Sequence, residues 1–431
     1  MRVRMNARVE QRMVFGVEIG AAAQAPPLAL PAEHFAAALV FFVLGCVGLV
    51  AIAPDLAIGA FYTPRVVATV HLFTLGWIML SIFGALCQFL PVAIGRGLRW
   101  QRLAHVSFAL HVGGAVAFIV GFVQGWRAPI LGGAAALSAA FLMFALNLGV
   151  TLAMVRARPL TWWALASATV FIVATPLYGV LLQTNTIDGL GVHRFHVVAV
   201  HAHVAIVGVV LLVIVGVAHR LIPMFLLSHG ASELPARISV ALLAAGAALL
   251  ALPIGGMQLD AVGGVLAGGG VLAFVIQAAL FFRHRKRRAL DPGLRLAAAG
   301  VLGMVIATVL APIAMSRGLG DLRLVSAYFA ILLGALALFV AGHYYKIVPF
   351  LVWYHRFGPL VGKRKVPKVA DLFSARAANA GGALLVLGFV GIAVATYLGS
   401  VPLARLAAGA TSCGALVELF VIAGIARRRP Q

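Results

Sequence analysis

The feature that most restricts the fold of this chain is an apolar run with a histidine at each end. Between His203 and His219 lie fifteen residues, VAIVGVVLLVIVGVA, which include no charge, no amide and no hydroxyl. Such a run is typical of a helix inside a membrane, where the backbone must satisfy its own polar groups. An ionisable side chain in a membrane span costs free energy and usually serves a function, so the histidines here are candidate site residues.

Similar runs recur along the whole chain, of which 63% is hydrophobic and 10% charged. This composition predicts an all-α, polytopic membrane protein that contacts the lipid bilayer. The apolar pattern predicts twelve transmembrane helices, called spans 1 to 12 in chain order. They cover residues 34–53, 65–90, 101–123, 130–155, 161–182, 196–217, 236–254, 261–282, 294–316, 323–345, 376–398 and 402–425.

The net charge of +22 follows this topology. If the amino terminus is cytoplasmic, the cytoplasmic tails and loops contain 27 of the 33 lysines and arginines, and the outer segments contain six. The positive-inside rule then predicts a multi-pass protein of a bacterial-type inner membrane, with cytoplasmic tails at 1–33 and 426–431. The basic residues are explained by topology and by contacts with anionic lipids, so we expect no nucleic-acid partner.

Spans 2, 6 and 10 share a pattern that predicts an internal repeat. Each is followed, within six residues, by a proline (Pro91, Pro223 and Pro349), with glycines seven and fifteen residues before the proline. The pattern predicts a single membrane domain, 34–425, built from three pseudo-symmetric four-helix units. The glycines allow close helix packing. The predicted units cover residues 34–155, 161–282 and 294–425.

The repeat aligns two histidines. Twenty residues before the prolines lie His71 in span 2, His203 in span 6 and Phe329 in span 10. At 1.5 Å per residue, this position is about 30 Å from the proline, near the outer leaflet. His201 lies two residues before His203 and points to the other side of the helix. Imidazoles bind iron and copper, so His71, His203 and His201 are predicted metal or haem ligands.

Three further side chains are weaker candidates. His111 lies in the middle of span 3 and is a candidate ligand or relay. His196 lies seven residues before His203 on the same helix face, where it could contact a second ion. Glu418 in span 12 is an acidic side chain inside the bilayer, which makes it a candidate proton relay.

The motifs around the aligned histidines resemble the ligand-bearing helices of haem–copper oxidase catalytic subunits (subunit I). The similarity is greatest to the cbb-type and nitric oxide reductase branches. Span 2 matches with His71, Gly76-Trp77 and Gly84, span 6 with His203, and span 10 with the pair Tyr344-Tyr345 before its proline. The resemblance implies twelve spans in three four-helix arcs, bound haem and electron transport.

The chain also departs from that family in two places. The family's His-x-His motif lies on span 10, whereas here His201 and His203 are on span 6. Span 7 contains no histidine, so a copper site with three imidazoles cannot be assembled from it. The chain is therefore identified as a divergent member that lacks the full copper site.

What the resemblance implies for cofactors is one or two b-type haems, with copper as a second candidate. His71 and His203 are the natural pair of iron ligands, and His201 would serve a second haem or a copper ion. A six-coordinate haem transfers electrons, whereas a five-coordinate haem can bind a gas. Haem propionates are anionic, and Arg194 and Arg405 at the outer surface are their candidate partners. His196 is a further candidate for a propionate contact.

Three functions stay open at this point. The first is a redox protein, either an electron carrier or a divergent oxygen or nitric oxide reductase, with quinol or cytochrome c as electron donor and a partner subunit. The second is a sensor or assembly protein that binds haem or copper without turnover. The third is a secondary transporter, although such carriers usually consist of two halves or inverted repeats rather than three units.

Overall fold

Nearly all of the described chain is helical. The computed structural model describes residues 13–14, 17–18, 28–184, 194–252 and 256–430, so most of the predicted amino-terminal tail lies outside the described residues. Two short strands, β1 (Met13–Val14) and β2 (Val17–Glu18), pair antiparallel. The long helices are numbered α1 to α12, and each corresponds to the span of that number. Their bounds are Ala29–Ala51, Pro64–Ile94, Gln101–Gln124, Arg127–Ala153, Leu160–Gln183, Arg194–Leu226, Leu234–Leu250, Gly256–Arg283, Pro292–Arg317, Leu322–Val352, Ala375–Leu398 and Val401–Arg427.

Eleven of these helices are long and apolar enough to cross a membrane within the described part of the chain. This confirms the predicted class of a helical, multi-pass membrane protein. The remaining one, α7, is apolar but has only 17 residues. Twelve spans and three four-helix units therefore stay predictions.

The helix ends differ from the predicted span ends mainly at the repeat prolines. Pro91, Pro223 and Pro349 lie inside α2, α6 and α10, which continue to Ile94, Leu226 and Val352. A proline removes one backbone hydrogen bond, and a membrane helix tolerates this loss when neighbouring groups compensate. The predicted spans 2, 6 and 10 end at 90, 217 and 345 and were too short, because each helix runs on past its proline.

The described residues group into two compact units. Unit 1 comprises 1–34, 82–114 and 133–288, and thus includes all of α5 to α8. Unit 2 comprises 35–81, 115–132 and 289–431, and includes all of α9 to α12. The histidine His203 therefore belongs to unit 1, and His71 belongs to unit 2.

Small residues allow close helix contacts inside each unit. In unit 1, a side chain at Gly246 would meet the backbone of Ala267 across α7 and α8 at 2.8 Å. In unit 2, a side chain at Gly300 would meet the backbone of Phe339 across α9 and α10 at 2.7 Å. Helices in lipid gain stability from such van der Waals contact, since lipid tails provide no hydrophobic drive between them.

Hydrogen bonds from Trp353 and Arg356 hold the segment that follows α10 in place within unit 2. The helix continues as the π-helical turn Trp353–Phe357 and the 3₁₀ turn Gly358–Leu360. The Trp353 indole donates to the carbonyl of Pro367 at 2.7 Å. The Arg356 guanidinium donates to the carbonyls of Ala426 (2.7 Å) and Arg428 (2.6 Å) at the carboxyl end of α12.

Candidate functional site

The first candidate ligand, His71, stands where helix α2 changes its hydrogen-bonding pattern. Pro64–His71 is α-helical, Leu72–Met79 is π-helical, and Leu80–Ile94 is again α-helical. The His71 side chain is half-buried, and its Nδ1 lies 2.7 Å from the carbonyl oxygen of Val67. Its ring meets Phe118 edge to face, with 5.1 Å between the ring centroids.

The second candidate ligand, His203, stands at the same kind of transition in α6. Arg194–His203 is α-helical, Val204–Leu211 is π-helical, and Leu212–Leu226 is α-helical. His203 is also half-buried, and its Nδ1 lies 2.8 Å from the carbonyl oxygen of Ala199. In both helices the histidine is the last residue before an eight-residue π segment. We call these two regions, 67–79 and 199–211, the histidine–π segments.

The histidine–π segments have a feature that is rare and often functional. In a π-helix the backbone bonds run from residue i to residue i+5, and such stretches occur frequently at functional sites. The sequence alone aligned His71 with His203 through the prolines, and the change of helix type falls at that same aligned position. Sequence reasoning missed the π segments, because the apolar pattern has no separate signature for them.

The bond from each histidine to the carbonyl four residues earlier fixes which ring nitrogen has the hydrogen. A carbonyl oxygen can only accept, so Nδ1 donates and Nε2 has the lone pair. Ligating histidines usually donate their other ring nitrogen in this way. The bond alone is not specific, since His34, His284 and His343 make it as well. The combination with a π segment separates His71 and His203 from these three.

A phenylalanine packs against the first repeat glycine in all three aligned helices. A side chain at Gly76 would come within 3.0 Å of Phe41, and one at Gly208 within 3.0 Å of Phe171. A Cβ added at Gly334 would lie 3.0 Å from Cβ of Phe389. The predicted packing role of these glycines is therefore seen in the structure, and it holds each histidine–π segment against a neighbouring helix.

The third aligned helix, α10, has neither the histidine nor the π segment. Leu322–Val352 is α-helical throughout, and Phe329 stands at the aligned position. The ring of Phe329 meets Tyr328 edge to face, with 5.0 Å between centroids. No imidazole is therefore present at this position of α10.

His201 is directed at α5 rather than at its own backbone. Its Nδ1 lies 3.2 Å from the carbonyl oxygen of Thr175. Gly179 lies beside the ring, and a Cβ there would make an ordinary contact with His201 Cε1 at 3.4 Å. The neighbours Thr175 and Gly179 were not found from the sequence, because neither residue type marks a site.

His196 pairs with an acid that sequence reasoning did not single out. Its Nδ1 lies 3.4 Å from Oδ2 of Asp260 on α8. A carboxylate at this place disfavours an anionic propionate beside His196, since like charges repel. His196 thus lies beside a carboxylate, and its contact with a propionate or a second ion stays a prediction.

The other candidates divide between core and surface. His111 is buried, with its ring 5.6 Å from that of Phe83 and 5.3 Å from that of Phe141. Arg194 is exposed and donates to the carbonyl of Leu182, and Arg405 is exposed on α12. Glu418 is completely buried in α12. Whether the arginines pair with propionates stays a prediction.

A site for a metal ion with three or more protein ligands is not formed by the described residues. No group of three His, Cys, Asp or Glu side chains there is arranged to hold an ion. Copper and zinc sites commonly use about three protein ligands, whereas a haem iron takes four nitrogens from the porphyrin and only one or two ligands from the protein.

No known family model matches this sequence, and no curated protein is similar to it.

Proposed function

We propose that this chain is a membrane redox protein that binds b-type haem, with His71 and His203 as iron ligands. The observation that supports it is the pair of histidine–π segments. Each presents one half-buried imidazole inside a membrane helix, with Nδ1 bonded to a carbonyl and the lone pair on Nε2. An imidazole in this tautomer is the form that ligates haem iron.

Haem suits these side chains better than a bare metal ion does. One imidazole from each histidine–π segment is enough for iron, because the porphyrin supplies the other four ligands. Hence we favour haem b over copper as the cofactor of His71 and His203. The resemblance of these helices to haem–copper oxidase subunits is part of the same proposal and supports it at the level of motifs.

The chemistry follows from how many imidazoles bind one iron. A haem iron with two protein ligands is six-coordinate and serves electron transfer, whereas an iron with one protein ligand has an open position for a gas. The electron donor would be a quinol or a cytochrome c. The charge bias of 27 to 6 supports an inner-membrane location with both termini in the cytoplasm.

The test is an optical spectrum of the detergent-purified protein, oxidised and then reduced with dithionite, with a pyridine haemochrome and copper analysis on the same sample. We expect a sharp reduced α-band, a pyridine haemochrome of haem b, and no stoichiometric copper. Carbon monoxide would then show whether an iron position is open. A folded, colourless and metal-free preparation would refute the proposal. Transport assays would then be the next test.

Single substitutions assign the ligands. His71→Ala and His203→Ala should each remove or shift the α-band. His343→Ala is the matched control, because His343 also bonds to the carbonyl four residues earlier, at 2.8 Å, but is followed by nine further α-helical residues rather than directly by a π segment. We expect its spectrum to match the unsubstituted protein. A normal spectrum in both His71→Ala and His203→Ala would place the iron elsewhere.

A further inference from the structure

An acidic side chain is enclosed in the membrane part of unit 2. Glu418 in α12 has 0% of its surface exposed. At 1.5 Å per residue, about 14 Å of helix separate it from Arg427 and about 26 Å from Val401. Neither carboxyl oxygen has a hydrogen-bond partner within the described residues. An ionised carboxylate in such a place would cost several kcal/mol, so its charge must be neutralised.

The other titratable groups within electrostatic range of Glu418 are polar but uncharged. Cys46 of α1 and the pair Tyr344 and Tyr345 of α10 lie within electrostatic range of its carboxyl. The hydroxyl of Tyr344 lies 2.8 Å from Oγ of Ser81. The hydroxyl of Tyr345 is buried and has no hydrogen-bond partner in the described part of the chain. We call Glu418, Tyr344, Tyr345 and Ser81 the Glu418 cluster.

No cation in the described residues neutralises this carboxyl. Lys346 follows Tyr345 directly in sequence, but its ammonium pairs with Asp291. Asp291 in turn caps the start of α9 by accepting from the amide of Leu294 at 3.1 Å. The lysine is thus held by another carboxylate, which leaves a proton or a small cation from solution as the neutralising species.

A proton fits the cluster better than a divalent ion does. Calcium takes six to eight oxygen ligands. The Glu418 carboxyl supplies only two oxygens, neither of which has a hydrogen-bond partner in the described residues, and the hydroxyls of Ser81 and Tyr344 already bond to each other. A carboxyl that binds a proton needs no such cage and becomes neutral at once.

We propose that Glu418 is a proton-binding site inside the membrane, which takes up one proton from water and returns it. This proposal does not rest on bound haem, since it follows from the surroundings of the carboxyl alone.

The test uses the chemistry of dicyclohexylcarbodiimide, an apolar reagent that attacks protonated carboxyls. The carboxyl O–H adds across a C=N bond of the reagent, and migration of the acyl group from oxygen to nitrogen leaves a stable N-acylurea. The whole reagent is retained, so its mass appears on the modified peptide. The full-length protein in detergent would be labelled at several pH values and mapped by mass spectrometry.

We expect label on the peptide that contains Glu418, with a rate that falls as the pH rises because only the protonated carboxyl reacts. Glu418→Gln should lose this label. Glu33→Gln is the matched control, because Glu33 is another acid in a membrane helix but is bonded to His105 at 2.7 Å; it should leave the label on Glu418.

Three results would overturn the proposal. They are an unlabelled Glu418 in folded protein, a labelling rate that does not change with pH, and protection by millimolar sodium or calcium at constant pH. The last would assign the site to a metal cation. All three are read from the unsubstituted protein, so they hold even if Glu418→Gln fails to fold, and none depends on whether haem is present.

Discussion

Three segments occupy aligned positions in the sequence but differ in backbone and chemistry. They are the histidine–π segments of α2 and α6 and the corresponding part of α10. Two of the helices change from α to π directly after a histidine, whereas α10 has Phe329 and stays α-helical. All three nevertheless pack a phenylalanine against the first repeat glycine. The packing of the repeat is thus kept in all three helices, and the π segment accompanies the histidine. This separation suggests that the π segment serves the site rather than the fold.

The two histidine–π segments also differ from each other. In α2, Trp77 is six residues after the histidine and fully buried; its ring is stacked on Phe42, with 4.3 Å between centroids, and tilted against Tyr344 at 4.6 Å. Its indole donates to the carbonyl of Ala337 on α10 at 3.3 Å. The position six residues after His203 in α6 is Val209, which is buried and has no polar group in its side chain. The α2 segment is therefore tied to its neighbours by an aromatic anchor that α6 lacks.

The largest expected effect comes from making α2 resemble α6 at this position. Trp77→Val removes a fully buried ring and its hydrogen bond, so we expect a loss of about 3 kcal/mol of unfolding free energy. Trp163→Val is the matched control, because Trp163 is 52% exposed. Unfolding in detergent with increasing denaturant measures both. Equal losses in the two variants would show that Trp77 is not an anchor.

A medium loss of stability is expected when the repeat glycines are replaced, and its size should differ among the three positions. Gly76→Ala and Gly208→Ala force a methyl group against Phe41 and Phe171, which should cost about 1–3 kcal/mol. Gly334→Ala should lower the unfolding free energy less, because the added methyl group would lie 3.0 Å from its nearest neighbour, Cβ of Phe389. Thermal unfolding in one detergent ranks the three. If Gly334→Ala is the most damaging, the packing in α10 is tighter than in the histidine–π segments.

A smaller effect is expected for the ion pair beside the second segment. Asp260→Asn removes a carboxylate 3.4 Å from His196. Both side chains are partly exposed, so the pair should contribute less than about 1 kcal/mol. A double-mutant cycle with His196→Ala isolates this contribution. A coupling well above that size would indicate that the pair organises α6 near His203.

The smallest effect is expected when the missing imidazole is restored to α10. Phe329→His places histidine at the aligned position without a π segment. If the π segment is needed for a ligand, the haem content per protein should not change, as measured by the pyridine haemochrome. An added haem would show that histidine alone is sufficient there, and would refute the link between the π segment and the site.

Much of the fold could be predicted from the sequence because lipid leaves few choices. Long apolar runs must form helices, and the predicted bounds of span 3, 101–123, fall within one residue of α3 at Gln101–Gln124. The errors in the predicted helix ends lie where one residue type, such as proline, is compatible with two backbone structures. Pro223 could end a helix or be tolerated inside it, and the structure shows the second. Likewise α1 begins at Ala29, five residues before the predicted start at 34.

The candidate site was predictable only in part. The proline register aligned His71 with His203, and the structure places the same change of helix type after both. The π segments and the contacts of Asp260 and Gly179 with the histidines depend on how helices pack against each other, and single-sequence patterns do not describe that packing. The ion pair of His196 with Asp260 joins residues 64 positions apart on different helices, so spacing along one helix could not reveal it.

The contact of Arg356 with the end of α12 has a practical consequence for handling the protein. The guanidinium binds two carbonyls at the carboxyl end of α12, those of Ala426 and Arg428. A positive charge is favourable at that end of a helix, where carbonyl groups lack partners. Any variant that lacks the residues from Ala426 onward would lose both acceptors and release Arg356 from α12, so these residues should be kept in the protein that is purified.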